Sequence, residues 1–297
     1  MIRRHFLTSA AALTATPLLG QTGTREYHPR SYDEGLIPRF SFELIEQEAQ
    51  GSLGVLALDT ATGRRAGWRA DERFPFNSTF KALLAGLVLE RVDAGAERLD
   101  RRIPIRAADI LNYAPVTAAA QGNSLTIGQL CAAAVGRSDN TAANLLLDTL
   151  GGPSGFTTRL AHPDARIDAW EPALNTFAPG DPANTVTPSS MVSLMTGFLL
   201  EQRLSEASRA QLLAWLRAAS TGAKRIRAGV PSGWQVGHKT GTGPGGCCSD
   251  VAIIHPPQGR APLMLAIYVA GSERPTARIE PLFAELTRIA CANLLAG

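Results

Sequence analysis

The chain has 297 residues, room for one large domain or two intimate ones, and its 45% hydrophobic and 19% charged residues are the make-up of an ordinary soluble globule. A formal net charge of +3, reduced to about +1 if a leader carrying Arg3 and Arg4 is removed, leaves no electrostatic footprint for nucleic acid. Cys131, Cys247, Cys248 and Cys291 form no Cys-x-x-Cys pair. His5, His28, His162, His238 and His255 show no His-Glu-x-x-His or His-x-His spacing, so a zinc hydrolase is disfavoured and no metal site is expected.

Residues 1–20 read as a removable address: Arg3-Arg4 precede Phe6-Leu7 and a stretch of small and apolar residues from Ala10 to Leu19. The paired arginines suggest export by the twin-arginine route, to the periplasm or beyond. The stretch is too short and too rich in Thr and Ser to span a membrane, and no stable membrane anchor is expected. Residues 21–39 form a linker. A helix is expected over 40–50, then a strand pair at 53–59 and 64–69 around the Thr62-Gly63 turn.

The middle of the chain reads as helical. The segment 78–93 is strongly apolar, and Thr126 with Gln129 makes a capping box for the helix containing Cys131. Residues 140–150 end at Gly151-Gly152, a C-cap signal. Thr187-Pro188 pairs a capping residue with a proline at the first helical position, and a further helix runs from about Ser205 to Ala219. Strands follow at 234–240, 249–255 and 263–270, and apolar residues at helical spacing mark 277–295. The expected division is an α/β lobe from 40–73 and 222–297, and an all-helical lobe from 74–221.

Four short runs carry the chemistry: Ser78-Thr79-Phe80-Lys81, Ser138-Asp139-Asn140, Glu171-Pro172-Ala173-Leu174-Asn175 and Lys239-Thr240-Gly241. Ser78 and Lys81, three apart at a helix start, share one face, where backbone N–H groups favour a developing oxyanion. A serine hydroxyl is a poor nucleophile unless a neighbouring base takes its proton, and a buried lysine with a lowered pKa can be that base. Taken alone, the pair also reads as a helix cap followed by a solvated lysine.

In this order and spacing the four runs resemble the signature of a class A serine β-lactamase, over about residues 40–297. The resemblance implies the two-lobed α/β (α+β) fold of the penicillin-recognising serine enzymes, with an antiparallel sheet, flanking helices and an all-helical lobe. It implies Ser78 as the nucleophile, with Lys81, or Glu171 through a water, taking its proton. Ser138 protonates the lactam nitrogen, and Lys239 supplies positive potential near Ser138 and the substrate carboxylate. Asn140, Thr240, Gly241 and Thr242 contact substrate, Tyr113 walls the entrance, and the N–H groups of Ser78 and Thr242 form the oxyanion hole. Arg225 is the arginine placed near the substrate carboxylate, with Glu280 as its partner and Arg227 structural. Glu171 and Asn175 bind and activate the deacylating water. The implied partners are small-molecule β-lactam antibiotics, penicillins and also cephalosporins; no cofactor or nucleic acid is implied, and the chain is expected to act as a monomer. A penicillin-binding DD-peptidase, or a β-lactam sensor that acylates without turnover, is the alternative.

Two departures from the family stand out. Some class A enzymes bridge the position of Cys131 to the helix after the nucleophile, where this chain has Ala85, so four free thiols are expected. The loop 168–186 is usually closed by an ion pair whose positions here are Ala169 and Asn184. The expectation is a more mobile loop, stiffened by Asp168, Asp181 and the prolines at 179, 182 and 188.

Overall fold

The structure, a computed structural model, describes residues 37–294 apart from the side chain of Leu294; the leader at 1–20 and the linker up to residue 36 lie outside the described residues. Helix α1 (Arg39–Ala49) leads into the first hairpin, β1 (Ser52–Asp59) and β2 (Arg65–Trp68), with Val55 opposite Trp68 and Leu58 opposite Arg65. Asp59 fixes the turn, accepting Ala61 N–H at 2.9 Å and the Thr62 hydroxyl at 2.6 Å.

After this hairpin the chain leaves the sheet. Strand β3 (Phe74–Pro75) and a 3₁₀ turn at Asn77–Thr79 lead into α2 (Phe80–Asp93). From Phe80 to Leu89 every residue of α2 is buried, as an apolar helix without a polar stripe requires. Strands β4 (Arg102–Pro104) and β5 (Ser124–Thr126) pair, and α3 (Ile127–Arg137) starts at the expected Thr126–Gln129 capping box. Asp139 caps α4 (Asn140–Leu150), which ends at Gly151 with φ +90°. Next come α5 (Gly152–Leu160), β6 (Ala165–Arg166) and β7 (Thr185–Val186), the last pairing with both β3 and β6. Thr187 and Ser205 cap α6 (Pro188–Leu199) and α7 (Glu206–Arg217).

The short helix α8 (Ile226–Gly229) returns the chain to the sheet, which β8 (Gln235–Gly243), β9 (Cys247–His255) and β10 (Leu263–Ala270) complete before α9 (Thr276–Leu294). The strand order is β2-β1-β10-β9-β8, antiparallel throughout. Both faces of β10 are covered, which is why it reads as one apolar run. Its Leu263, Leu265, Ile267 and Val269 join a core with Phe42 and Ile45 of α1 and Ile279, Leu282, Phe283 and Leu286 of α9. Its Met264, Ala266, Tyr268 and Ala270 join the larger core built on α2. The fold is thus α/β (α+β): an antiparallel sheet with flanking helices beside a mainly helical mass that carries two small sheets.

Three expectations need correction. Ser78 lies in the 3₁₀ turn, and the α-helix begins at Phe80. The Lys239-Thr240-Gly241 run does not end its strand, because β8 continues to Gly243 before turning at Gly245 and Gly246, both with φ +66°. The stretch 74–221 is not all-helical, because the short strand sets β4–β5 and β3–β7–β6 lie among its helices. All four cysteines are buried and unbridged. Among the described residues no helix is long and apolar enough to cross a membrane, and no three His, Cys, Asp or Glu side chains cluster as a metal site.

Candidate active site

The 3₁₀ turn brings Ser78 to the base of a cavity of about 410 Å³, with Lys81 buried beneath it. Lys81 Nζ donates to Ser78 Oγ at 3.0 Å, to the Ser138 carbonyl at 3.0 Å and to Asn140 Oδ1 at 2.5 Å. It also lies 3.0 Å from Glu171 Oε1, both side chains being sealed from solvent. Four oxygens therefore surround at most three N–H groups: Ser78, Ser138 and Asn140 take the hydrogen bonds, and Glu171 is held as an ion pair. Burial pushes the Lys81 ammonium below the ordinary lysine value, and the Glu171 carboxylate pulls it back up.

Ser138 closes α3 in the left-handed conformation, φ +57°. That bend turns its carbonyl to Lys81 while its hydroxyl accepts from Lys239 Nζ at 3.0 Å, so two buried lysines hold one residue from two sides. Lys239 also donates to the Thr240 carbonyl at 2.6 Å. Its ammonium is driven well below the ordinary value by burial first and by the Lys81 charge second, with Asp250 and Glu171 opposing. Asp139 is fully buried and accepts from Ala142 N, Val116 N, Thr117 N and the Thr117 hydroxyl, all at 2.8–2.9 Å. It ties the 113–117 segment to α4. Tyr113 is exposed at the cavity rim, its carbonyl accepting Asn140 N–H, while Asn140 Nδ2 donates to the Asn112 carbonyl.

Strand β8 forms the opposite wall. A Cβ at Gly241 would lie 2.4 Å from Ser249 Oγ and 3.1 Å from Ser78 N, so only glycine lets the strand pass this close to Ser78. Arg225 is buried beside it. Its guanidinium donates to the carbonyls of Gly241 (2.7 Å) and Ser249 (3.0 Å) and to Thr242 Oγ1 (2.7 Å), and pairs with Glu280 at 3.3 Å. Arg227 faces away and donates to His238 Nε2 and to the carbonyls of Arg217 and Ala219. Of the residues singled out from sequence, Ser78, Tyr113, Ser138, Asn140, Asn175, Arg225, Thr240 and Thr242 line the cavity. Lys81, Glu171 and Lys239 are buried, bonded to that lining. Thr221 and Gly222 line it too and were missed, and Glu280, expected as the partner of Arg225, joins them.

Glu171 enters from the loop 168–186 through a cis bond to Pro172. Its Oε2 accepts from Asn175 Nδ2 at 2.5 Å. Asn144 on α4 grips its backbone at two points, donating to the Glu171 carbonyl at 2.9 Å and accepting Glu171 N–H at 3.0 Å. Asn144 was also missed, though it sits one helical turn after Asn140 and so on the same face.

The neck of the loop is closed without the ion pair. Asn184 Oδ1 accepts the N–H groups of Asp168 (2.8 Å) and Ala169 (3.1 Å), and its own N–H donates to Asp168 Oδ2 at 3.3 Å. Its carbonyl accepts Phe76 N–H at 3.0 Å, tying the neck to the chain just before Ser78. Asn184 adopts φ +57°, a conformation asparagine tolerates better than most residues. Asp168 pairs with Arg166, which holds its carboxyl below the ordinary range. Asp181 caps Ala183 N–H at the far side.

Residues 41–294 match the model of the beta-lactamase enzyme family. The chain is 38% identical to beta-lactamase L2 of Stenotrophomonas maltophilia, covering 98% of each chain. It is 43% identical to beta-lactamase AST-1 of Nocardia asteroides, covering 85% of this chain and 81% of that one. An ancestral class A beta-lactamase structure (GNCA) superposes with a TM-score of 0.83 at 49% identity, over 87% of this chain and 99% of the other.

Proposed function

This chain belongs to the beta-lactamase enzyme family, in class A, and from that premise we propose that it hydrolyses the β-lactam amide of penicillins and cephalosporins, with antibiotic resistance as the consequence. The observation that carries the reading is the position of Lys81 Nζ, 3.0 Å from both Ser78 Oγ and Glu171 Oε1. One buried nitrogen thereby links a nucleophile to a second base, a carboxylate, which acylation alone would not need.

Ser78 Oγ attacks the lactam carbonyl carbon. Two routes are open to its proton, directly to Lys81 or through a water to Glu171, and the contacts of Lys81 serve both. The N–H groups of Ser78 and Thr242 receive the oxyanion. As the C–N bond breaks, the nitrogen takes the Ser138 hydroxyl proton, favoured by the Lys239 ammonium 3.0 Å away, and the proton taken from Ser78 replaces it on Ser138. Glu171, with Asn175 beside it, then deprotonates a water that attacks the ester carbonyl, and that proton passes to Ser78 Oγ as the ester bond breaks. Arg225, Lys239, Thr240 and Thr242 receive the substrate carboxylate, while Asn140, Gly241 and Tyr113 hold the remainder.

We read the chain as two lobes, 40–73 with 222–297 carrying Lys239, and 74–221 carrying Ser78 and Glu171. We further read residues 1–20 as a twin-arginine export signal, Arg3-Arg4 being its support, and the mature enzyme as a periplasmic monomer. Mature protein mixed with excess nitrocefin tests the activity. Hydrolysis through many enzyme equivalents with little adduct by intact mass is expected; a single-equivalent burst and a persistent adduct would point instead to a peptidase or sensor.

A further inference from the structure

Behind the strand carrying Lys239, a second group of ionisable side chains is sealed from solvent and takes no part in the chemistry above. His238 and Asp250 are both fully buried. His238 Nδ1 lies 3.0 and 3.1 Å from the two Asp250 oxygens, and Nε2 accepts from Arg227 Nε at 3.3 Å. A ring nitrogen that accepts carries no proton, so this network assigns the proton to Nδ1, which donates to Asp250. The second task of Asp250 is to accept Ile226 N–H at 3.2 Å.

Apolar residues at 238 and 250 would pack the sheet without the cost of burying a carboxylate. They would not provide an acceptor for Ile226, the residue after Arg225. The preceding stretch rests on the same spot. Thr221 Oγ1 lies 2.7 Å from Thr240 Oγ1. Gly222, at φ +72°, runs so close that a Cβ would lie 2.3 Å from Thr240 Cγ2 and 3.1 Å from His238 Cε1. The segment that brings Thr221, Gly222 and Arg225 to the cavity is therefore laid directly on the His238–Asp250 pair and pinned there by one backbone bond.

We infer that His238 and Asp250 are positioning residues for substrate binding: Asp250, oriented by His238, anchors the backbone beside Arg225 and so aims its guanidinium at the substrate carboxylate. The inference rests on the reading of Arg225 as a carboxylate anchor. Such support around a functional group is how a protein fixes its orientation, and its loss appears in binding before chemistry.

The test compares a β-lactam bearing a free carboxylate with its methyl ester, using variants shown to be folded by thermal unfolding. Asp250→Ala and His238→Met should each raise KM for the acid about tenfold, leave kcat within about twofold and leave the ester unchanged. Asp250→Asn, which keeps an acceptor for Ile226, should recover part of the loss. Arg225→Ala should show the same separation of acid from ester, and Asp250→Ala should add nothing in the Arg225→Ala background. Should Asp250→Ala not fold, His238→Met carries the same cycle.

An unchanged KM for the acid, equal losses for acid and ester, or additivity with Arg225→Ala would overturn the inference. Additivity would mean that the pair acts through Lys239 instead. If Arg225→Ala itself treats acid and ester alike, the carboxylate reading of Arg225 falls and this inference falls with it. If Arg225→Ala separates them and the other two variants do not, the positioning role alone is lost.

Discussion

The two sides of the cavity are held by different means. Around Ser78, buried charges sit on regular elements: Lys81 on α2 and, from the facing wall, Lys239 on β8 both bond to Ser138, and neither is exposed. On the side of Glu171, the carboxylate comes from a loop; Lys81 is its charged contact, and neutral carboxamides fix it in place. Asn144 holds its backbone, Asn175 its side chain and Asn184 the loop neck. Charges placed where bonds change raise reactivity but titrate and respond to neighbours. A carboxamide fixes geometry without doing either. Acylation should therefore be the half sensitive to alkaline pH, and deacylation the half sensitive to geometry.

Removing the base of the second half should have the largest effect. Glu171→Ala is expected to slow deacylation by about 10³-fold while Ser78 still acylates, so the adduct accumulates and persists in intact-mass spectra. Normal turnover by this variant would remove the distinction between the two sides. Lys239→Ala should cost about 10²-fold in kcat/KM, the scale of one lost electrostatic contact, with little adduct building up. In the unaltered enzyme, the lowered Lys239 value fixes a sign. The ammonium is lost as pH rises through a value below lysine's ordinary 10.5, so kcat/KM should fall on the alkaline side before that pH. Deacylation, followed from preformed adduct, should lack that limb; an alkaline limb shared by both steps would contradict the comparison.

How much of this was legible depended on whether the interaction was local. The Thr126–Gln129 cap, the β1–β2 turn and the Ser78–Lys81 pair are contacts of three or four residues, and sequence spacing declares them. The four runs carried the site because each is a contiguous peptide. What stayed hidden was side chain to backbone, or across strands. Asn184 and Asp168 are 16 residues apart, and Asn144 and Glu171 are 27 apart, in segments with no shared pattern. His238 meets Asp250 only because the β8–β9 register sets Thr240 opposite Asp250. At the loop neck the absent ion pair was visible as Ala169 and Asn184, but the replacement was not. A single carboxamide oxygen accepting two backbone N–H groups has no partner side chain to find.

That replacement gives the finest test of the comparison. Asn184→Ala leaves two N–H groups at the neck without their acceptor, about 1–3 kcal/mol of stability, and should slow deacylation about tenfold with acylation within about twofold. Asn184→Asp is subtler. A carboxylate can still accept both N–H groups, but it is placed against Asp168, whose Oδ2 already lies 3.3 Å from the residue 184 nitrogen. With alanine at 169 it gains no cation, so deacylation should fall about threefold and recover in part as salt screens the repulsion. Adding Ala169→Arg should then restore the rate, while the same arginine opposite the native Asn184 should bring nothing. If Asn184→Asp alone were as fast as the unaltered enzyme at low salt, charge at the neck would be irrelevant, and the neutrality of the carboxamides around Glu171 would be incidental to how it is held.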